Sequence, residues 1–306
     1  MIGYLGRRLL LTVPVLLGIA IVVFFVIALI PGDAVSAMMT QVKLAPDQMA
    51  LLRRQLGLDD PLFVRLGNYL AGLLKGDLGV SFFGYHPVLR LIRENFPATL
   101  ELTVAAMGVA VILGLPLGMI AALRHNTWLD LSGMTVALIG ISIPGFWLGL
   151  MMIQFFSVQF GWLPITGHGL RPLIMPAIAL GVAESAVLAR LTRASLLEVL
   201  REDFVRTAKA KGLGMRPVVL RHAFRAALIP VLTMFGMQFG TLIGGAVVIE
   251  NVFARQGLGT LVTKAVINRD APVVQGVVLV AAVLYVLVNL TVDALYAFID
   301  PRIRYE

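Results

Sequence analysis

Long uncharged apolar stretches alternate along the chain with segments that carry most of the charged residues. A transmembrane helix needs about 20 consecutive apolar residues, and each of these stretches is close to or above that length. The pattern therefore predicts an all-α membrane protein with six transmembrane helices. The predicted helices cover Leu9–Ile30, Leu102–Leu123, Leu131–Phe160, Leu173–Ala189, Ala226–Ile249 and Ala271–Val292.

Two of these stretches are unusual. Leu131–Phe160 is too long for one straight helix, and we expect Pro144-Gly145 to kink it, because proline lacks the backbone donor that a helix uses. Leu173–Ala189 contains one charged residue, Glu184. A charge at the centre of a bilayer is costly, so this residue is expected to face a cavity or a partner.

The first stretch has an alternative interpretation as a secretory signal peptide, since Val35-Ser36-Ala37 resembles a small-residue cleavage site. The apolar core of a signal peptide is about 7–15 residues long, which is shorter than Leu9–Ile30. We therefore expect a retained helix that enters the membrane from the cytoplasm.

The segment after the first helix is polar and rich in proline, and none of it could span a bilayer. It contains two candidates for short amphipathic helices, Ala50–Leu56 and Leu62–Leu74. The chain is thus predicted to have three parts. These are the N-terminus with the first helix (1–30), an extracytoplasmic subdomain (31–97), and a five-helix core (98–306) whose cytoplasmic loop covers 190–225.

The distribution of basic residues predicts the orientation in the membrane. Six spans put both termini on one side, and that side holds fourteen of the 25 Lys and Arg residues, nine of them in 190–225. The short loops on the other side hold four, and long loops such as 31–97 have little influence on topology. Because cytoplasmic loops are enriched in Lys and Arg, both termini are predicted to be cytoplasmic.

Composition narrows the possible functions. The chain is 59% hydrophobic and 14% charged, with a net charge of +8, which is typical of a membrane protein with basic cytoplasmic loops. The basic loop has only Phe204 and Phe224 as aromatic residues, which is a poor stacking platform for nucleic acid. The sequence has no cysteine, no HExxH motif, no phosphate-binding GxxxxGK[ST] loop and no evident catalytic constellation. We expect a non-catalytic chain without a metal or cofactor of its own.

The 190–225 loop is predicted to contain a short exposed helix. Asp203 is a plausible N-cap, Phe204–Lys211 has helix-forming residues, and Gly212 is a natural stop. Pro217 is expected to break the chain before a last amphipathic stretch, Val218–Leu228. Phe204 and Ala208, four residues apart on one face, suggest a docking patch for a cytoplasmic partner. The alternative is a solvated loop that only carries the topology signal.

Motifs spread over nearly the whole chain indicate a family. In the basic loop they are Phe204-Val-Arg-Thr-Ala-Lys-Ala-Lys-Gly212 and His222-Ala-Phe-Arg-Ala-Ala-Leu-Ile-Pro230. Elsewhere they are Ile30-Pro-Gly-Asp33, Gln55-Leu-Gly-Leu-Asp59, Pro97-Ala-Thr-Leu-Glu-Leu102, Gly140-Ile-Ser-Ile-Pro144, Gly244-Gly-Ala-Val-Val-Ile-Glu250, Gln256-Gly-Leu-Gly259, Val288-Asn-Leu-Thr-Val-Asp293 and Asp300-Pro-Arg-Ile-Arg304. Together they resemble the permeases of ABC importers, in the branch that imports dipeptides, oligopeptides, glutathione and nickel.

This resemblance implies that the short loop helix is a coupling helix, which inserts into a groove of an ATP-hydrolysing subunit. The residues that would transmit the motion are Glu202, Asp203, Phe204, Ala208, Ala210 and Gly212. Arg206 and Thr207 depart from the family's usual Glu and Ala, and Phe204 replaces a tyrosine. In the last outer loop, Arg255-Gln256 stands where the family usually has Trp-Pro.

The resemblance also implies the partners. They are a second homologous permease, two ATP-binding subunits that hold ATP and Mg, and a periplasmic solute-binding protein, all at a bacterial inner membrane. The short loop between the third and fourth spans favours glutathione-like members, with a nickel complex or another small solute as the alternative cargo. An independent secondary transporter is less favoured, because the two halves of the chain show no evident repeat.

Four residues within the spans are candidates for the translocation path. Glu184 would meet the amine of a peptide, or else serve as a packing carboxylate. Gly236, Gly240 and Gly244 form a stripe of small residues that would border the path or a second membrane subunit, or else pack within the chain.

Overall fold

The computed structural model describes residues 2–32, 34–39, 46–167 and 169–299. Asp33 and the motif at 300–304 lie outside these residues. The described chain is helical, apart from loops and an isolated antiparallel bridge between Val80 and Pro87. The helices are α1 (Ile2–Leu29), α2 (Ala34–Met39), α3 (Pro46–Gln55), α4 (Leu62–Leu74), α5 (Val88–Leu123), α6 (Trp128–Ser142), α7 (Gly145–Met152), α8 (Leu170–Val199), α9 (Asp203–Ala210), α10 (Met215–Pro217), α11 (Phe224–Val252), α12 (Leu258–Ile267) and α13 (Ala271–Ile299). A π-helical turn at Ile153–Gln159 continues α7, and a second at Val218–Ala223 joins α10 to α11.

The apolar helices match the predicted spans. Among the described residues five helices are long and apolar enough to cross a membrane, and a bent pair of helices makes a sixth if it counts as one span. The prediction of an all-α membrane protein is therefore confirmed. Some helices, such as α8, extend beyond the predicted apolar stretches. Polar residues outside the hydrocarbon core continue a helix as well as apolar ones do.

The bent pair corrects one prediction. Leu131–Phe160 was expected to be a single kinked helix, but it forms α6 and α7 at an angle of 93°. The residues between them are extended, with ψ of 120° at Ile143 and 131° at Pro144. Proline disfavours the helical conformation of the residue before it, so the helix ends there and a new one starts at Gly145.

Contacts divide the chain into two units, residues 1–99 with 256–286, and residues 100–255 with 287–306. In the first unit the interior includes Val88, Ile92, Leu258 and Val273. Buried Asp270 fixes the loop after α4, since its carboxylate accepts hydrogen bonds from the Ser81 hydroxyl at 2.5 Å and the Phe82 amide at 3.2 Å. The predicted division at residues 30 and 97 stays a prediction.

The first unit also contains the two short helices of the polar segment that follows the first membrane helix. α4 has the predicted bounds, whereas α3 begins at Pro46, earlier than the predicted Ala50, because proline is well suited to the first turn of a helix. Phe24 of α1 stacks on Tyr69 of α4 with ring centroids 5.9 Å apart.

In the second unit α5 packs against α8 at very short range. A Cβ atom on Gly118 would lie 2.4 Å from the carbonyl oxygen of Ala189, and one on Gly114 would lie 2.6 Å from that of Ser185. A Cβ atom on Gly181 of α8 would likewise lie 2.5 Å from the carbonyl oxygen of Ala106. Close backbone packing on small residues is how helices associate in lipid, where apolar burial gives no driving force between them.

Candidate coupling helix and membrane polar site

The segment predicted to couple to a partner is a short helix that follows α8 after one turn. The Leu200 and Glu202 amides donate to the carbonyl oxygens of Leu196 and Val199, at 3.0 and 3.1 Å, and these bonds close the end of α8. α9 begins at Asp203, and Glu202 is the extended N-cap residue, without a side-chain capping bond. The predicted N-cap at Asp203 is therefore wrong by one residue. Asp203 lies in the first turn, where its charge favours the positive end of the helix dipole.

The end of α9 follows the prediction. Gly212 has φ of +81°, a left-handed conformation that glycine adopts without a side-chain clash. Its amide donates to the carbonyl oxygen of Lys209 at 2.9 Å, and the Leu213 amide donates to that of Ala208 at 3.3 Å. These bonds satisfy the last carbonyl groups of the helix.

The chain after Gly212 differs from the prediction. Pro217 was expected to break it before a separate stretch, but α10, the π-helical turn and α11 follow one another without a break from Met215 to Val252. Pro217 lies in the first turn, where its missing N–H group costs nothing.

A buried valine anchors α9 to the membrane helices. Val205 has no exposed surface and lies in one apolar cluster with Leu196 of α8, Val218 and Ala227. Ala122 at the end of α5 belongs to the same cluster. Val205 was not among the predicted site residues, although its spacing of three from Ala208 could have indicated an inward face.

The rest of α9 faces outward. Ala208, one of the six predicted residues, is half-buried against the Val205 cluster, while the other five are exposed. Phe204 is 45% exposed, an unusual state for a large aromatic side chain. Beside it, a cleft of about 450 Å³ is lined by Ala194, Leu197, Glu198, Arg201, Glu202 and Asp203. The exposed aromatic ring and the mainly acidic cleft form a surface that could bind a protein partner.

Glu184 lies half-buried in the middle of α8. The Gln238 amide nitrogen of α11 donates to the backbone carbonyl oxygen of Glu184 at 3.1 Å. Gln238 is only 3% exposed, and its amide oxygen has no hydrogen-bond partner within the described chain. Glu184 and Gln238 thus place polar groups next to each other between two otherwise apolar helices.

The three glycines of the α11 stripe have different surroundings. Gly236 is buried, and a Cβ atom there would lie 3.1 Å from the side-chain oxygen of Asn289 on α13. Gly240 is half-buried. Gly244 is exposed, with no atom within 4 Å of its Cβ position. Among the described residues, Gly236 thus packs on another helix of the chain, whereas the Gly244 position meets none.

Two arginines that the sequence left without a role have carboxylate partners. Arg255, at the family's usual Trp position, forms an ion pair with Glu101 and has a side chain only 11% exposed. Arg193 of α8 binds Asp130 at the start of α6. Neither pair could be predicted from the sequence, since the partners are far apart in the chain.

The described residues contain no group of three or more His, Asp or Glu side chains that could hold a metal ion.

Comparison with protein families gives two matches. Residues 114–305 match the family of the binding-protein-dependent transport system inner membrane component, and residues 1–103 match the N-terminal family of the same membrane component.

Curated relatives match over the full length of both chains. The chain is 45% identical to the glutathione transport system permease protein GsiC of Salmonella choleraesuis (strain SC-B67), and 44% identical to the protein of that name from Escherichia coli (strain K12). It is 41% identical to the dipeptide transport system permease protein DppB of Alkalihalophilus pseudofirmus.

Among solved structures, the inward-facing MetNI methionine ABC transporter matches with a TM-score of 0.60 and 22% identity, over 69% of this chain and 97% of that one. An amino acid ABC transporter crystallised with histidines matches with a TM-score of 0.51 and 19% identity, over 70% and 95%. These two similarities concern the fold.

Proposed function

Since the chain belongs to the family of binding-protein-dependent transport system inner membrane components, we propose that it is the membrane-spanning permease subunit of an ATP-driven peptide importer. The named relatives transport glutathione and dipeptides, which supports a small peptide as the solute over a nickel complex. The observation that carries the proposal is α9, a short helix with an anchored inner face and an exposed aromatic outer face.

The proposed complex contains a second homologous permease, two ATP-binding subunits and a periplasmic binding protein. Hydrolysis would take place in the ATP-binding subunits, which hold ATP and Mg, so this chain would have no catalytic role. The distribution of Lys and Arg supports cytoplasmic termini and a cytoplasmic α9 in a bacterial inner membrane.

In this mechanism the movement of the ATP-binding subunits reaches the membrane helices through α9. The ATP-binding subunits would hold Phe204 and the acidic cleft, while Val205 transmits their movement to the apolar cluster at the inner ends of α5, α8 and α11. ATP would then favour one of two arrangements of the membrane helices, because the ATP-bound subunits would bind that arrangement more tightly. The residues expected to transmit the movement remain Glu202, Asp203, Phe204, Ala208, Ala210 and Gly212.

Glu184 is the proposed contact for the solute. The half-buried Glu184 carboxylate and the Gln238 amide oxygen, which has no hydrogen-bond partner within the described chain, are two acceptors that would suit the ammonium group of a peptide. The exposed glycine at 244, with Gly240, would border the path or the second permease.

Purification of the tagged chain in mild detergent tests the proposal. We expect a second permease and two ATP-binding chains to co-purify, and the complex in proteoliposomes to accumulate glutathione or dialanine only when ATP and its binding protein are present. A chain that purifies alone and transports with an ion gradient instead would identify a secondary transporter and contradict the proposal.

A Glu184→Gln variant tests the solute contact separately. Its uptake of dialanine should fall about tenfold, as expected for the loss of a charge-assisted hydrogen bond of about 1.4 kcal/mol. Uptake of N-acetyl-dialanine, which has no ammonium group, should be equal in the variant and the wild type. Unchanged uptake of both peptides would remove Glu184 from the path.

A further inference from the structure

A partly buried ion pair joins the start of α6 to α8. The Arg193 guanidinium donates two hydrogen bonds to the Asp130 carboxylate, from Nε to Oδ1 at 2.6 Å and from Nη2 to Oδ2 at 2.8 Å. The Asp130 side chain is 6% exposed and that of Arg193 is 26% exposed. Two parallel bonds of this kind fix the orientation of both groups as well as their distance.

The same carboxylate organises the turn between α5 and α6. Asp130 Oδ2 accepts a hydrogen bond from the Asn126 amide at 3.1 Å, and His125 Nδ1 lies 3.1 Å from the same oxygen. Asn126 has φ of +61°, a conformation that few residue types other than glycine adopt. Asp130 therefore ties together the turn, the first turn of α6 and α8.

This ion pair lies close to α9 along a continuous helix. Arg193 precedes the end of α8 by six residues, or about 9 Å at 1.5 Å per residue. Beyond that end, Val205 of α9 packs on Leu196 of α8 in the shared apolar cluster. Val205 thus packs on the helix that carries Arg193, and Arg193 in turn binds the start of α6.

α6 has a break at its other end that lets it move separately from α7. The extended residues at Ile143 and Pro144 interrupt the helix, and α7 turns away by 93°. α6 also packs along α8, so the ion pair and this packing together tie α6 to α8, whereas the break separates it from α7.

We propose that Asp130 and Arg193 are positioning residues for coupled transport, forming the joint through which movement of α9 is carried to α6. This rests on the proposed importer function. The pair is a poor candidate for stability alone, because burying two charges costs about as much as their attraction returns. Its double hydrogen bond instead fixes the relative orientation of α6 and α8.

The test uses the complex purified with the tagged chain and reconstituted in proteoliposomes, with glutathione and dialanine as probes. The variants are Asp130→Asn, Arg193→Met, Arg193→Lys and the double variant Asp130→Leu/Arg193→Met. Arg190→Met is the matched control, because Arg190 lies on the same helix, is exposed, and has no hydrogen bond or ion pair within the described chain. The measured quantity is solute taken up per ATP hydrolysed.

We expect the double variant to assemble as the wild type does, since an apolar pair of similar volume commonly replaces a buried ion pair without loss. Its uptake per ATP should nevertheless fall at least tenfold, with Arg193→Lys intermediate and Arg190→Met unchanged. A double variant with wild-type uptake per ATP would overturn the proposal, because the pair would then be purely stabilising. If Asp130→Asn and Arg193→Met fail to assemble, the double variant and Arg193→Lys still decide. A wild-type complex without ATP-driven uptake would refute the proposed function itself.

Discussion

Replacing Gly118 by alanine should loosen the contact between α5 and α8. The new Cβ atom would lie 2.4 Å from the carbonyl oxygen of Ala189 and 2.7 Å from the Cβ atom of Thr192. Ordinary contacts of a Cβ atom begin at about 3.4 Å, so the two backbones must separate by about 1 Å. Overpacking of this kind costs about 1–3 kcal/mol. The higher helix propensity of alanine returns at most about 1 kcal/mol.

Gly108 on the same helix provides the matched control. Its Cβ position has no atom within 4 Å, so Gly108→Ala gains helix propensity without a clash. The two variants carry the same chemical change and differ only in what the methyl group meets. The Gly118→Ala variant should therefore be less stable than Gly108→Ala by about 1–3 kcal/mol.

Thermal unfolding of the purified complex in detergent measures this difference. Since 1 kcal/mol corresponds to about 2–4 °C for a chain of this order of size, the Gly118→Ala variant should melt several degrees below Gly108→Ala. Gly114→Ala should behave like Gly118→Ala, since its Cβ atom would lie 2.6 Å from a carbonyl oxygen of α8. Equal melting temperatures for Gly118→Ala and Gly108→Ala would refute the close-packing argument.

Three further predictions concern the anchor of α9 and two polar contacts. Val205→Ala should weaken the docking of α9 by about 1.5 kcal/mol, and tryptic cleavage after Lys209 should become about tenfold faster, whereas cleavage of a Thr207→Ala control should not change. Arg255→Met should lower stability by about 1 kcal/mol in low salt and by less in 1 M salt, as measured by thermal unfolding; an equal loss in both would rule out an electrostatic role. Asp270→Ala should cost about 2 kcal/mol in urea unfolding, because it removes the acceptor of the Phe82 amide and one of the two acceptors near the buried Ser81 hydroxyl, the other being the Phe83 carbonyl oxygen; a loss below 0.5 kcal/mol, as an ordinary surface change gives, would contradict this.

The spans could be predicted because the bilayer imposes a minimum length of apolar sequence, which can be read locally. The end of α9 could be predicted for a similar reason, since Gly212 adopts a backbone conformation that favours glycine. The 93° turn between α6 and α7 could not be predicted. Pro144 indicates an interruption, but the direction of α7 depends on its packing, with Gly145 close to the Ala179 carbonyl oxygen.

The candidate site was predicted only where its residues are neighbours in the sequence. The exposed residues of α9 could be found from one short motif. The contact between Asp130 and Arg193 joins residues 63 positions apart, and that between Gln238 and Glu184 joins residues 54 apart. A single sequence contains no local pattern that brings such residues together.

The break between α6 and α7 also bears on how the protein enters the membrane during synthesis. α6 has 15 residues, and α7 with its π-helical turn has a further 15, so each piece is about 22 Å long. The hydrocarbon core is about 30 Å thick, so neither piece can cross it alone. Both pieces pack on α8, which emerges from the ribosome later. We therefore expect the insertion machinery to retain the bent pair until α8 has been made, so that a nascent chain ending before residue 170 stays extractable from the membrane.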